Sequence, residues 1–187
     1  MSQVALEAPA ESLAEPIVAW RAWTIAGSSD GSIVRLLPIA GDRRPWPVRR
    51  PVVAACTRGR GHAVPGLSCT CGVHATRDLD TLRRTRDPSA IGTVALWGRV
   101  VEHELGFRAA AGYPQRLRLV CPVCFWQWGT TANVETVAVN RGGRMTPLCA
   151  EHAALCARIG FRFRARAPAR AVESSLLAAY AVDLLPA

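Results

Sequence analysis

The chain has 187 residues, which is enough for one domain or two small ones with a core that needs no disulfides. Half of the residues are apolar, but no apolar run approaches the ~18 residues of a membrane span. The acidic N-terminus also lacks the basic and apolar regions of a signal peptide, so we expect a cytoplasmic protein.

The formal charge is +9, from 23 basic and 14 acidic residues. Every basic residue is arginine and alanine is abundant, which is typical of a GC-rich genome, so the positions of the arginines tell more than their number.

The first third of the sequence predicts a tail, a hairpin and a long loop. Residues 1–15 are rich in Ala and Glu with little apolar periodicity, which predicts a disordered tail. Two β-rich runs at 18–25 and 32–37 flank small, turn-forming residues and predict antiparallel strands. Residues 38–51 hold four prolines and Trp46, which predicts an extended, arginine-rich loop.

The middle and the end of the chain predict short elements of both kinds. Residues 78–86 place acids first and arginines last, as in a short helix. Residues 91–105 are apolar on both faces and predict a central strand, residues 106–114 a turn, and residues 116–120 a strand. Residues 161–164 alternate as a solvent-facing strand does, and residues 171–185 carry the apolar spacing of an amphipathic helix.

Four residues after the strand at 116–120 have the spacing of a zinc site. Cys121 and Cys124 form a C-x2-C pair, and Cys149 and His152 follow 24 residues later at a predicted helix start. Thiolates and imidazole are the ligands that zinc prefers, and their order is that of a treble-clef finger. The alternative is a set of core cysteines with an incidental histidine. Cys156 is interpreted as a core residue, and Leu155 and Ile159 are expected to face the sheet.

A second cluster of metal-type ligands lies in the glycine-rich loop at 56–75. We predict that Cys56, His62, Cys69 and Cys71 bind a second zinc ion, with His74 as the substitute fourth ligand. The spacing is less regular than in known zinc motifs, so a reactive or merely buried thiol cluster stays open as the alternative. The tight Cys-x-Cys spacing makes simultaneous ligation harder, although Gly72 relieves the backbone.

Three motifs resemble those of a family of small uncharacterised bacterial proteins of high-GC Gram-positive bacteria. They are Cys-Thr-Cys-Gly-Val-His-Ala at 69–75, Gly-Thr-Val-Ala-Leu-Trp-Gly-Arg-Val-Val-Glu-His-Glu-Leu-Gly-Phe-Arg-Ala at 92–109, and Tyr-Pro at 113–114. The resemblance covers about residues 17–120 and implies no activity. The treble-clef likeness of residues 121–160 is separate and generic.

Arginines beside a tryptophan could bind nucleic acid, because guanidinium groups contact phosphates and aromatic rings stack on bases. Packing is the alternative for the tryptophans, and we favour it for Trp20 and Trp97. The predicted nucleic-acid residues are Arg43, Arg44, Trp46, Arg49, Arg50, Arg58, Arg60, Arg162 and Arg164.

Together these patterns predict an α+β protein. A β-rich, possibly barrel-like domain at 16–120 would precede a treble-clef zinc finger and a C-terminal amphipathic helix at 121–187. We expect a non-enzymatic zinc protein that binds nucleic acid or a nucleic-acid-associated complex, with a zinc-stabilised protein-interaction adaptor as the alternative. The sequence shows no nucleophile–base pair, no open metal site and no H-x-E or H-E-x-x-H motif, so an enzyme is not expected.

Overall fold

The computed structural model describes residues 15–39, 44–59 and 61–186, so all but the last residue of the predicted tail lies outside it. Within these residues the chain is α+β and strand-rich. The strands are β1 (Ile17–Gly27), β2 (Val34–Pro38), β3 (Val52–Val53), β4 (Val73–Thr76), β5 (Ala90–His103), β6 (Gly106–Leu119), β7 (Thr136–Val139), β8 (Arg144–Leu148), β9 (Ala165–Pro168) and β10 (Asp183–Leu184). The helices are α1 (Leu79–Leu82), α2 (Pro122–Trp128), α3 (Ala150–Arg158) and α4 (Ala169–Tyr180).

All ten strands join one sheet organised around β1. This strand pairs antiparallel with β2, β4, β5 and β8, and the predicted hairpin of the first two strands is present. The sheet runs from β10 at one end to β9 at the other. The expected barrel is wrong: β1 and β4 share a single residue pair, Trp20 with Thr76, and the end strands β9 and β10 do not pair with each other.

The longest hairpin of the sheet is formed by β5 and β6, with 14 residues in each strand. The predicted turn at 106–114 is therefore wrong, because these residues form the first part of β6. Glycine suits position 112 because the backbone there lies close to two neighbouring side chains. A Cβ would stand 3.1 Å from both Leu96 and Val73, so a larger residue would be crowded. Pro114 pairs with Val94 where the register shifts, and such an irregularity accepts a residue with no N–H.

The main core lies between the sheet and α4. Val172, Leu176 and Tyr180 of this helix are fully buried, and their removal from water stabilises the fold by roughly 1.5–3 kcal/mol for each large apolar side chain. The same core takes Trp23 and Ile25 from β1. Strands from both predicted domains share the sheet, since β1 pairs with β8 and β6 pairs with β10.

The segment at 121–160 carries two short helices, α2 and α3, and one hairpin. The hairpin of β7 and β8 turns at residues 140–143, and α3 begins after Cys149, where a helix start was predicted. Two details differ from the prediction. Residues 161–164 form no strand, because β9 begins only at Ala165. Leu155 and Ile159 do not face the sheet but point outward, with exposures of 37% and 66%.

Candidate metal centres

The first centre joins the start of α2 to the start of α3. Cys121 is the residue before α2 and Cys124 lies in its first turn, while Cys149 precedes α3 and His152 lies in its first turn. The four ligand atoms lie within 4.8 Å of one another, and all four residues are buried. The structure therefore brings together the four residues that the spacing predicted.

The spacing of the ligand atoms fits a tetrahedral ion. Zinc bound tetrahedrally by sulfur at ~2.3 Å and nitrogen at ~2.0 Å separates two sulfurs by about 3.8 Å and a sulfur from the nitrogen by about 3.5 Å. The Sγ atoms of Cys124 and Cys149 are 3.7 Å apart. The His152 Nδ1 atom lies 3.6 Å from Cys121 Sγ, 3.4 Å from Cys124 Sγ and 3.1 Å from Cys149 Sγ. The residues thus enclose a point at which one metal ion could bind all four.

The thiols of this centre differ in acidity. Burial and the neighbouring thiols of Cys149 and Cys121 raise the pKa of Cys124 to about 12. Burial also opposes ionisation of Cys149, but hydrogen bonds from the backbone and ring of His152 outweigh it and lower the pKa of that thiol. Without a metal the thiolate is therefore favoured at Cys149 and disfavoured at Cys124, and a bound cation would stabilise the charged form of both.

The second centre lies in the loop that precedes β4. Cys56, His62, Cys69 and Cys71 also bring four ligand atoms within 4.8 Å of one another. The Sγ atoms of Cys56 and Cys69 are 3.8 Å apart, and Cys71 Sγ lies 4.0 Å from His62 Nε2. This is a second set of three thiols and one imidazole, with separations close to those of a tetrahedral site.

The hydrogen bonds of the two histidines distinguish the fourth ligand. The His62 ring contacts the Ala63 carbonyl through Nδ1 at 2.9 Å, which makes Nδ1 the protonated nitrogen and leaves the Nε2 lone pair facing Cys71. His74 instead contacts the Thr70 carbonyl through Nε2 at 2.8 Å and lies outside the cluster. The geometry favours His62 over His74.

A buried arginine that the sequence analysis did not single out supports the second centre. Nη1 of Arg108 donates hydrogen bonds to the carbonyls of Gly66, Cys69 and Cys71, so one guanidinium gathers the loop that carries two of the ligands. Its only sequence signal was its place within the motif at 92–109. The loop is also packed tightly, because a Cβ at Gly66 would stand 2.8 Å from the His62 ring.

The predicted nucleic-acid residues differ in their exposure. Arg43 and Arg60 lie outside the described residues, whereas Arg44, Arg49, Arg50, Arg58, Arg162 and Arg164 are exposed. Trp46 is only 4% exposed and packs edge-on against Trp23, with ring centroids 5.4 Å apart. Trp46 is thus a core residue with no free face for a stacked base.

Two other tryptophans have the exposure that Trp46 lacks. Trp126 and Trp128 of α2 are 52% and 59% exposed. The guanidinium carbon of Arg86 lies 5.9 Å from the centroid of the Trp126 ring. The Trp128 ring lies 6.0 Å from the ring of the ligand His152, which places this surface beside the first centre. The sequence did not predict this surface, because α2 is too short for its apolar pattern to show which side chains are exposed.

Comparisons of the chain with protein-family models, with curated proteins and with solved structures found no match. The motif resemblance of residues 17–120 is therefore not supported by a family match. No helix in the described part of the chain is long and apolar enough to cross a membrane.

Proposed function

We propose that this protein is a non-enzymatic zinc protein that binds single-stranded nucleic acid through the exposed face of its C-terminal finger. The observation that carries the proposal is the pair of exposed tryptophans on α2, next to the first metal centre and beside Arg86. Exposed aromatic rings among arginines provide base stacking and phosphate contacts together, which is the usual chemistry of single-strand binding.

The charge of the finger supports this choice. Between residues 121 and 170 the only acids are Glu135 and Glu151, against seven arginines: Arg141, Arg144, Arg158, Arg162, Arg164, Arg166 and Arg170. Arg158, Arg162 and Arg164 are exposed and follow one another at the end of α3 and just beyond it. An excess of one sign on one unit attracts a polyanion and makes its binding salt-dependent.

We assign zinc to both centres and a structural role to each ion. Three thiolates and one imidazole are a common structural zinc set, and four protein ligands leave no open position for a substrate or a water. The first ion would join α2 to α3, and α3 has no buried apolar side chain of its own, since His152 is its only buried residue. Metal binding then contributes directly to folding of this segment.

Elemental analysis of the purified protein tests the metal assignment. We expect two zinc ions per chain, one in Cys121→Ser, one in Cys69→Ser and two in the matched control Cys156→Ser, whose thiol lies outside both clusters. A chain with no bound zinc, or the loss of zinc from Cys156→Ser alone, would contradict the assignment.

Fluorescence anisotropy with labelled oligo-dT, oligo-U and a duplex tests nucleic-acid binding. Replacing Trp126 and Trp128 with alanine should weaken single-strand binding by roughly 5- to 150-fold per stacked base lost. The double substitution Arg162→Gln with Arg164→Gln should lower the salt slope by about 1.4, at ~0.7 per phosphate contact. The control Arg99→Gln changes an exposed arginine on β5 and should leave binding unchanged. Binding that ignores both salt and the tryptophans would exclude this function.

The second candidate is a protein-interaction adaptor that docks through the finger. The exposed apolar side chains Leu155, Ile159 and Phe161 favour it, because the described residues leave these side chains uncovered. Failure of every oligonucleotide to bind, together with a partner that co-purifies after nuclease treatment and is lost in Ile159→Asp, would favour the adaptor over the nucleic-acid binder.

A further inference from the structure

A cavity of about 870 Å³ lies among the elements of the N-terminal half. Its walls come from β1, from the segment 44–58, from β4 and from the turn between β5 and β6. A volume of ~300–1,000 Å³ is typical of sites for small organic ligands. Apolar side chains, including Trp20, Ile39, Val52 and Leu82, supply much of the lining.

Arg21 borders this cavity from an unusual position. It lies in the middle of β1, between Ala19 and Trp23, on the face of the strand that packs into the main core. Its guanidinium carbon lies 5.9 Å from the centroid of the Trp23 ring and 5.0 Å from that of Trp46. A charged group thus stands where the fold alone would place an apolar one.

The hydrogen bonds of Arg21 are incomplete. Its Nη1 donates to the carbonyl of His74, but its Nε is buried without a partner, and Nη2 has none among the described residues. No carboxylate of the described chain forms an ion pair with it. Burial also lowers the pKa of Arg21 to about 10, which reflects the cost of holding its charge there.

Arg108 is an arginine with a structural role in this protein, and its hydrogen bonds can be compared with those of Arg21. Arg108 is buried, at 9% exposure, whereas the Arg21 side chain is partly exposed, and three backbone carbonyls accept hydrogen bonds from Arg108. Arg21 has one such acceptor in place of three. An unpaired charge in such a position is unfavourable for folding, so Arg21 calls for a partner that the described residues do not supply.

The surroundings of Arg21 select the sign of that partner. Arg44 and Arg58 also line the cavity, and no aspartate or glutamate of the described residues does so. Cys56, Cys69 and Cys71 of the second centre line it as well, and the three arginines outweigh the small net negative charge of three thiolates on one Zn²⁺. The site is therefore positive, with apolar and aromatic walls. A guanidinium matches the planar or tetrahedral oxygens of a carboxylate or phosphate better than any other side chain does.

We propose that this cavity binds a small organic anion, with its carboxylate or phosphate on Arg21 and its apolar body against the aromatic and aliphatic walls. The ligand supplies the acceptors that Arg21 lacks. The residues that line this cavity do not include the tryptophans of α2, so the proposal can be tested independently of nucleic-acid binding.

Titration calorimetry on the full-length, zinc-loaded protein tests this proposal with four probes of related shape and different charge. Phenylphosphate and phenylacetate carry an apolar ring with an oxyanion, phenylacetamide carries the same ring without charge, and inorganic phosphate carries the charge without the ring. We expect at least one of the two aryl anions to bind about tenfold or more tightly than phenylacetamide and inorganic phosphate, since a charge-assisted pair is worth roughly 1.5–3 kcal/mol. The tighter of the two identifies the headgroup.

Substitutions assign the binding to Arg21. Arg21→Met should weaken aryl-anion binding about tenfold or more while leaving the melting temperature equal or higher, because it removes an unpaired buried charge. Arg21→Lys keeps the charge but not the fork and should bind at an intermediate level, and Arg99→Gln should bind as the unchanged protein does. If Arg21→Met does not fold, Arg21→Lys and the comparison of charged with neutral probes decide the matter. Absence of binding by both aryl anions at ~10 mM, or equal binding of phenylacetamide, would overturn the proposal.

Discussion

The hydroxyl of Tyr180 donates a hydrogen bond to the carbonyl of Trp46 at 2.9 Å, across 134 residues of sequence. The same hydroxyl accepts a hydrogen bond from the backbone N–H of Leu36 at 3.0 Å. Trp46 and Leu36 are joined in turn by a backbone hydrogen bond of 2.8 Å. The last turn of α4 therefore fixes the proline-rich segment that covers Trp23 and borders the Arg21 cavity.

The substitution Tyr180→Phe should lower the free energy of unfolding by about 1–3 kcal/mol, because it leaves two buried backbone groups without a partner while removing little volume. Urea denaturation measures this difference. Tyr113→Phe is the matched control: the Tyr113 hydroxyl donates to the carbonyl of Tyr180 from a partly exposed position, where water can replace it. Equal stabilities of the two variants would contradict the central place of the Tyr180 hydroxyl.

The residues of the first candidate metal centre and the existence of the C-terminal helix could be predicted from the sequence because their signals are local. The bounds of the helix were wrong: α4 ends at Tyr180, and part of the predicted 171–185 forms β10. A C-x2-C pair and a Cys-x2-His pair fix ligand spacing whatever the rest of the chain does, and α4 shows its apolar period within 12 residues. The first part of β6 could not be predicted, since Gly112 and Pro114 read as turn residues until the neighbouring strand is in place.

The burial of Trp46 and of Arg21 depends on contacts far along the chain. Trp46 is covered by Trp23 and held by Tyr180, neither of which is near it in sequence. The run Val18-Ala19-Trp20-Arg21 has no clear alternation, so the face on which Arg21 lies follows only from the pairing of β1 with its four partners. The tertiary structure therefore replaces the surface interpretation of Trp46, and the position of Arg21 could not be predicted from its neighbours in the sequence.

Arg108→Met should remove zinc from the second centre and leave the first centre filled. The carbonyls of Gly66, Cys69 and Cys71 lose their shared donor, so the loop that presents two of the thiols is no longer held in place. Elemental analysis should fall from two zinc ions per chain toward one. Arg116→Gln on the same strand is exposed and should keep two; retention of two zinc ions by Arg108→Met as well would show that the ligands alone arrange the loop.

Alanine substitutions at two glycines of the same loop test whether crowding around the His62 ring weakens zinc binding. Gly66→Ala should weaken zinc binding at the second centre, because its Cβ would stand 2.8 Å from the Cε1 and Nδ1 atoms of His62 and so displace a ligand. Gly61→Ala should be neutral, since a Cβ there meets no atom within 4 Å. Competition with a chromophoric chelator compares the two variants, with a loss of about tenfold expected for Gly66→Ala on the scale of supporting contacts to ligands. Equal zinc affinities would mean that the His62 ring can move aside.

The second centre should hold a thiolate at neutral pH even without metal. The backbone N–H of Cys71 and the side chain of His62 lower the pKa of Cys69 to about 6, against ~8.5 for an ordinary cysteine. Because this pKa is lowered on folding, the charged form stabilises the metal-free loop fully above pH ~8.5, and that contribution is lost as the pH falls through about 6.

Alkylation of Cys69 by iodoacetamide tests this after zinc removal by a chelator, with the fold verified by circular dichroism. The alkylation rate should rise with pH, with a midpoint near pH 6 in the folded protein and near 8.5 in guanidinium. Cys124, equally buried but with its pKa raised to about 12 by burial and its thiol neighbours, should resist alkylation throughout this range. Peptide mass spectrometry reads both sites in one sample, and a shared midpoint near 8.5 in the folded protein would refute the lowered pKa of Cys69.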